Sequence, residues 1–158
     1  MREEMAAADG TPIVIVPAGQ SDVVAEARKR AGRVVAAGLE GGDIPVANWS
    51  LDEEGRGRIV ADGIDIAVPM RGVHNLRNAT LALAVARELG ISMEDAGRGI
   101  AAMSLPPMRS NVEKLGKVLL INDAYNSNPG SARAAIELLA HAGGEAARGR
   151  QRVAVLGT

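Results

Sequence analysis

With 158 residues, 47% of them apolar, the chain can fill one ordinary core or two small ones. A net charge of −1 supplies no basic field for nucleic acid or acidic membranes, and the absence of Phe, with single Trp and Tyr residues, removes the aromatic platforms that stack on bases. No cysteine occurs, which excludes disulfides and thiolate metal sites; with no secretory signal and no bilayer-length apolar run, the expected compartment is the cytoplasm, without membrane insertion.

Taken in chain order, "TPIVIVP" reads as a short buried strand, "SDVVAEARKRAG" as an amphipathic helix opened by Ser21 or Asp22 and closed by Gly32, and "RVVAAGL" as a second strand. Together they predict one βαβ unit. From Asp43 to Met70 the pattern shifts to the short alternating runs "IPVANWSLD", "GRGRIVA" and "IDIAVPM", divided by Glu-Gly and Asp-Gly turns, which predicts an antiparallel meander. "HNLRNATLALAVARELG" then has the spacing of a well-buried helix ending at Gly90, and "SMEDAGRGIAAM" follows with Ser92 as cap and Asp95 as its partner. The prolines of "LPPMRSN" mark a linker.

Beyond the linker, "NVEKLGKVLLIND" predicts a hairpin whose second arm, continuously apolar, should be covered on both faces. A helix follows with Asn128 as N-cap and Pro129 at its first position, running to the glycines at 143 and 144. "RVAVLGT" is expected as a parallel strand completing a second βαβ unit. One such unit in about forty residues is small for an independent fold, so this region reads as the opening of a domain, and the amino terminus is equally abrupt. The fold class expected is α/β.

Three stretches carry possible chemistry. Asp123 ends an apolar strand just before a helix, the place where open parallel sheets collect ligands, and a carboxylate there can hold two ribose hydroxyls. Tyr125 could lie over a sugar or base and Asn126 could hydrogen-bond at the same mouth; Asp123, Asn126 and Asn128 would also serve simply as turn and cap residues. In "GVHNLRNA", Asn75 and Asn78 are three apart and project from one helix face, with Gly72 allowing close approach to the backbone. A carboxamide matches the N6 and N7 edge of adenine. The alternative has one asparagine capping the helix and the other solvated. His74 could cap, pack or touch a phosphate, and Arg109, after Pro106 and Pro107, could swing its guanidinium onto a phosphate or sit in water. Met93, Met103 and Met108 read as core or hinge packing, and His141 as a charge favourable to a helix C-terminus.

These stretches together resemble the Mur ligases, ATP-dependent amide-bond-forming enzymes of peptidoglycan synthesis. "GVHNLRNATLALAVA" is similar to their Gly-x-His-Asn-x-x-Asn-Ala helix, "LPPMRSNVE" to their Pro-Gly-Arg hinge, and "INDAYNSNPGSARAAIELL" to the start of their third domain. The Tyr-Asn-x-Asn-Pro run resembles members that join D-alanyl-D-alanine to UDP-N-acetylmuramoyl-tripeptide. The resemblance implies that residues 1–105 are the later part of a central ATP-binding domain, 106–111 the hinge, and 112–158 the start of a Rossmann-like carboxy-terminal domain. It further implies that Asn75 and Asn78 contact adenine, Asp123 the ribose, and Tyr125 and Asn126 the side of the nucleotide cleft. Arg109 would reach the nucleotide in a catalytic role and His74 would stand beside the cofactor. ATP and Mg2+ are the implied cofactors, and a monomer the implied state of the complete enzyme.

The sequence also departs from that pattern. Met108 replaces the usual glycine before the hinge arginine, Val73 stands where Arg is frequent, and Asn122-Asp123-Ala124-Tyr125 replaces Asp-Asp-Ser-Tyr. No Gly-x-x-x-x-Gly-Lys-Ser/Thr phosphate loop occurs, and Arg2 lies near the place of the family's carbamylated lysine. The chain is therefore expected to be an inactive portion of a ligase. The alternatives are another Mur ligase or a folylpolyglutamate synthase-like ligase, or a nucleotide-binding module without catalysis.

Overall fold

The chain ends its first strand in a tight turn, and the rest of the first βαβ unit follows from it. A computed structural model describes residues 13–104, 111–125, 128–142 and 149–156. Strands β1 (Ile13–Pro17) and β2 (Arg33–Ala37) pair in parallel, with helix α1 (Ser21–Arg28) crossing between them. Ser21 is the first helical residue rather than the cap. The Gln20 amide closes the turn on the Pro17 carbonyl at 3.2 Å, so Gln20 takes the cap position, without a side-chain hydrogen bond. The helix also stops before Gly32, because Lys29 and Arg30 bond to the carbonyls of Glu26 and Ala27, three residues back, and tighten the last turn.

The meander forms as its alternation requires. Strands β3 (Val46–Leu51), β4 (Arg56–Ala61) and β5 (Ile64–Arg71) make a three-stranded antiparallel sheet in that order. Asp62 and Gly63, at φ of +50° and +78°, supply the left-handed pair that a two-residue hairpin demands. Ile59, Ile66 and Val68 point inward and are buried, whereas Arg58 and Asp65 point outward and form an ion pair at 2.6 Å. Trp49, on the outer strand β3 opposite Ile59, is 36% exposed.

Helix α2 (Val73–Glu88) joins the two sheets into one core. Its Leu76, Ala79, Leu83 and Ala84 are buried among Val35 and Ala37 of β2 and Ile59, Ala61, Ile66 and Val68 of the meander. Burying a leucine such as Leu76 or Leu83 contributes about 2 kcal/mol. The approach is close: a Cβ on Gly57 of β4 would stand 1.9 Å from Leu76 Cδ2. The helix ends in a Schellman motif, Gly90 donating to Arg87 and Ile91 to Ala86 at 3.0 and 2.9 Å, with Gly90 at φ +75°. Helix α3 (Met93–Ala101) follows, capped by the Ser92 hydroxyl on the Asp95 amide, while the Ser92 hydroxyl donates to the Asp95 carboxylate. Ile100 and Met93 add to the core, whereas Met103 is exposed, contrary to the packing role expected of it.

The expected linker, with Arg109 and Met108, lies outside the described residues. After it, β6 (Asn111–Leu115) and β7 (Val118–Asn122) form the antiparallel hairpin. The expectation that β7 is covered on both faces does not hold. Val118, at 61% exposure, Leu119 and Leu120 are open to solvent, because among the described residues β7 pairs with β6 alone. Helix α4 (Pro129–His141) starts as its sequence dictates: Asn128 and Ser131 form a reciprocal capping box, with Pro129 at the first position. Residues 151–156 do not form the expected strand. Among the described residues they have no ladder partner, and Val155 is 92% exposed. The second βαβ unit is therefore represented by its hairpin arm and helix.

Placing a methyl group at position 57 tests the seat of α2. Gly57→Ala should lower unfolding stability by about 2 kcal/mol or more, read from a urea melt, because backbone and helix must part to admit it. A melt identical to that of the parent would mean that α2 does not rest so closely on β4.

Candidate functional site

The sheet's own irregularity builds the site. Between β4 and β5 the register slips, Gly57 facing Val68 while Arg56 faces Arg71, so Pro69 and Met70 are extra residues on β5. Pro69, which has no N–H to give the ladder, sits where the ladder is interrupted. The slip leaves Arg71 buried at 9% exposure, its Nε donating to the Glu54 carbonyl at 2.9 Å and its terminal nitrogen 3.6 Å from the Glu54 carboxylate.

The β3–β4 turn is thereby clamped against the start of α2. Asp52 accepts hydrogen bonds from the amides of Glu54 and Arg56 and, at 2.7 Å, from Arg56 Nε. Partial burial raises the Asp52 pKa, but the bonds from Arg56 outweigh it and leave the carboxyl below its ordinary value. The Gly72 amide donates to the Gly55 carbonyl at 2.9 Å. Leu138 of α4, 3% exposed, lies over Gly55, its Cδ1 2.6 Å from where a Cβ would be.

Gly72 is the N-cap of α2, at φ +86° and ψ 151°, a region that only glycine enters without strain. Neither asparagine caps the helix, so that alternative is excluded. Asn75 instead donates its Nδ2 back to the Arg71 carbonyl at 2.8 Å, and Asn78 donates its Nδ2 to Asn75 Oδ1 at 3.4 Å. The two amides thus share one face, as their spacing requires, with Asn78 exposed.

His74 lies over Gly72, its ring 2.8 Å from the site of a Cβ there. Burial holds its imidazole below the ordinary value; Asp123 and Glu137 pull the other way and Arg77 adds to the depression. The structure thus sets Asp123, which follows β7, and Glu137, on α4, within electrostatic reach of the start of α2. Tyr125 is 62% exposed beside Asp123. Arg109 and Asn126 lie outside the described residues. His141 Nδ1 contacts the Glu137 carbonyl at 2.7 Å, within the last turn of α4.

Arg71 and Leu138 escaped the sequence reading. An arginine closing an alternating strand reads as solvated, and its cover comes from Glu54 of the β3–β4 turn. Leu138 is one of several apolar residues of α4. The proline inside "IDIAVPM" was the available signal for the slip.

No protein-family model matches the chain. It is 36% identical over 153 residues to the UDP-N-acetylmuramoyl-tripeptide–D-alanyl-D-alanine ligase of Mycobacterium tuberculosis H37Rv, covering 91% of this chain and 30% of that protein. To the ligase of the same name from Synechocystis it is 33% identical over 127 residues, covering 80% and 25%. A crystal structure of MurF from Acinetobacter baumannii superposes with a TM-score of 0.77 at 32% identity, over 88% of this chain and 31% of that one. The chain belongs to the Mur ligase family. It spans about a quarter to a third of the length of these Mur ligases. The fold is also that of a Thermotoga maritima MurF ligase crystallised with ADP, at a TM-score of 0.69 and 24% identity. Among the described residues no group of three or more His, Asp or Glu could hold a metal ion, and no helix is long and apolar enough to cross a membrane.

The His74 environment has a pH signature. Its folded pKa lies below the ordinary value of 6.5, so between the two values the unfolded chain binds more protons and stability rises with pH. That contribution is complete above about pH 6.5 and is lost as pH falls through the folded value. His74→Gln should therefore lose less stability than the parent between neutral and mildly acidic pH, compared by urea melts across that range. Parallel pH profiles would show that the imidazole titrates as it does in water.

Proposed function

We propose that this chain carries the adenosine side of an ATP-dependent ligase that joins D-alanyl-D-alanine to UDP-N-acetylmuramoyl-tripeptide in cytoplasmic peptidoglycan synthesis. The observation that supports it best is the hydrogen-bonded pair Asn75 and Asn78 on the first turns of α2, directly after Gly72, in a chain of this family. Carboxamides there offer both a donor and an acceptor to an adenine edge. In this reading Asp123 holds the ribose hydroxyls and Tyr125 and Asn126 line the same mouth. Arg109 reaches the nucleotide from the hinge at residues 106–111, which divides a central domain portion at 1–105 from a Rossmann-like portion at 112–158. His74 packs on Gly72 and keeps the helix start in place.

The reaction proposed for the complete enzyme activates the tripeptide's terminal carboxylate as an acyl phosphate, with ADP leaving; the amine of D-alanyl-D-alanine then attacks the acyl carbon and expels phosphate. Magnesium would neutralise the phosphates. The described residues offer no ligand set for it. The sequence lacks the glycine-rich phosphate loop and its lysine, and this stretch alone is expected to bind adenosine without ligating.

Calorimetric titration with ATP tests the reading. The parent should bind weakly, and an Asn75→Ala, Asn78→Ala double variant should bind at least about tenfold more weakly, as expected for losing a bidentate contact. Equal affinity of parent and variant would remove the two asparagines from the nucleotide site.

A further inference from the structure

Among the described residues, none of β6, β7 or α4 belongs to the core gathered around α2. Of the thirteen residues of α4, Leu138 alone is buried, whereas Ile136 is 47% exposed. Leu138 fills a notch in the β3–β4 turn: its Cδ1 stands 2.6 Å from where a Cβ on Gly55 would be, and Arg71 Cβ closes the same notch at 3.8 Å. Gly55 is at φ +78°, a conformation that favours glycine, so the sharp turn and the open notch have one cause. The Gly72 amide, bonded to the Gly55 carbonyl, ties that notch to the start of α2. Two carboxylates accompany Leu138 to this place. Glu137 precedes it on α4 and Asp123 follows β7, and both lie within electrostatic reach of His74, where Arg77 is the opposing cation.

We propose that Leu138 is a positioning residue: its side chain, seated on Gly55, holds the strand end bearing Asp123 against the start of α2. The part Asp123 plays there, holding a ribose, rests on the adenosine-site reading above. A helix laid on a flat surface can slide, but a side chain packed into a glycine notch admits one seating depth. Asp123 inherits that depth through the few residues that join β7 to α4. Because Leu138 lies outside the core around α2, shortening it removes the seat and leaves the core standing. Leu138 thus acts on the site through Asp123, without facing a ligand itself.

The experiment follows the His74 imidazole by NMR through an acid-to-neutral titration without nucleotide, resolved from His141, the only other histidine. In the parent, Asp123→Asn should lower the His74 titration midpoint, because a carboxylate that favours the imidazolium has gone. In Leu138→Ala the same substitution should leave the midpoint where it was, since Asp123 no longer faces the ring. Leu138→Val, a milder truncation, should lose part of the shift, and Leu138→Met, long enough to refill the notch, should restore it. Circular dichroism checks that each variant keeps its helices. If Leu138 merely stabilised α4, Leu138→Ala would melt earlier with the Asp123→Asn shift intact, and the positioning role would be overturned. A parent in which Asp123→Asn leaves His74 unmoved would overturn it as well. No nucleotide enters this test, so its failure is separate from a failure of the adenosine site in calorimetry.

Discussion

The seating of α2 on β4 is the contact on which everything else depends. A pair of strands has too little apolar surface to hold together alone, and the meander leaves an apolar face that the helix covers. Leu76 and Leu83 are buried against residues of both, and that is possible only because Gly57 leaves room for a leucine side chain where any other residue would place its Cβ. Ion pairs reinforce the arrangement at its rim, Arg33 with Glu88 at 2.8 Å and Arg77 with Glu40 at 3.2 Å. Exposed pairs of this kind contribute less than the packing beneath them.

The same helix delivers the candidate site, and the sheet decides how. The slip around Pro69 sets Arg71 opposite Arg56, where Glu54 of the β3–β4 turn holds it, and the backbone atoms beside it, the Arg71 carbonyl and the Gly72 amide, orient Asn75 and the helix start. A structural irregularity in the meander thus becomes a polarity at the mouth of α2. Leu138 on Gly55 brings α4 to the same turn, so this late helix meets the meander where the asparagines are anchored.

Much of this was legible in the sequence because local signals were strong. The Asp62-Gly63 turn, the glycine ending α2, the Ser92 cap and the Asn128-Pro129 start each have a stereochemical cause within a few residues, and each lies where expected. The shared face of Asn75 and Asn78 follows from helical spacing. Less was legible where the outcome depends on distant partners. The apolar run of β7 looks covered on both faces, yet its cover must come from other strands, and among the described residues only β6 pairs with it. The run at 151–156 has strand composition but, among the described residues, no neighbour to pair with. Arg71 was invisible because its burial depends on Glu54 of a neighbouring turn, a relation that no window along one strand contains.

The scarcity of aromatic residues has an optical consequence. Trp49 sits on the outer strand of the meander, partly exposed, and Tyr125 stands in the open just past β7. With no phenylalanine and no second copy of either residue, red-edge ultraviolet excitation addresses Trp49 alone, so its emission reports the meander without interference. Tyr125 does not absorb at that wavelength. The unlabelled protein therefore carries a single-site fluorescence reporter in its meander.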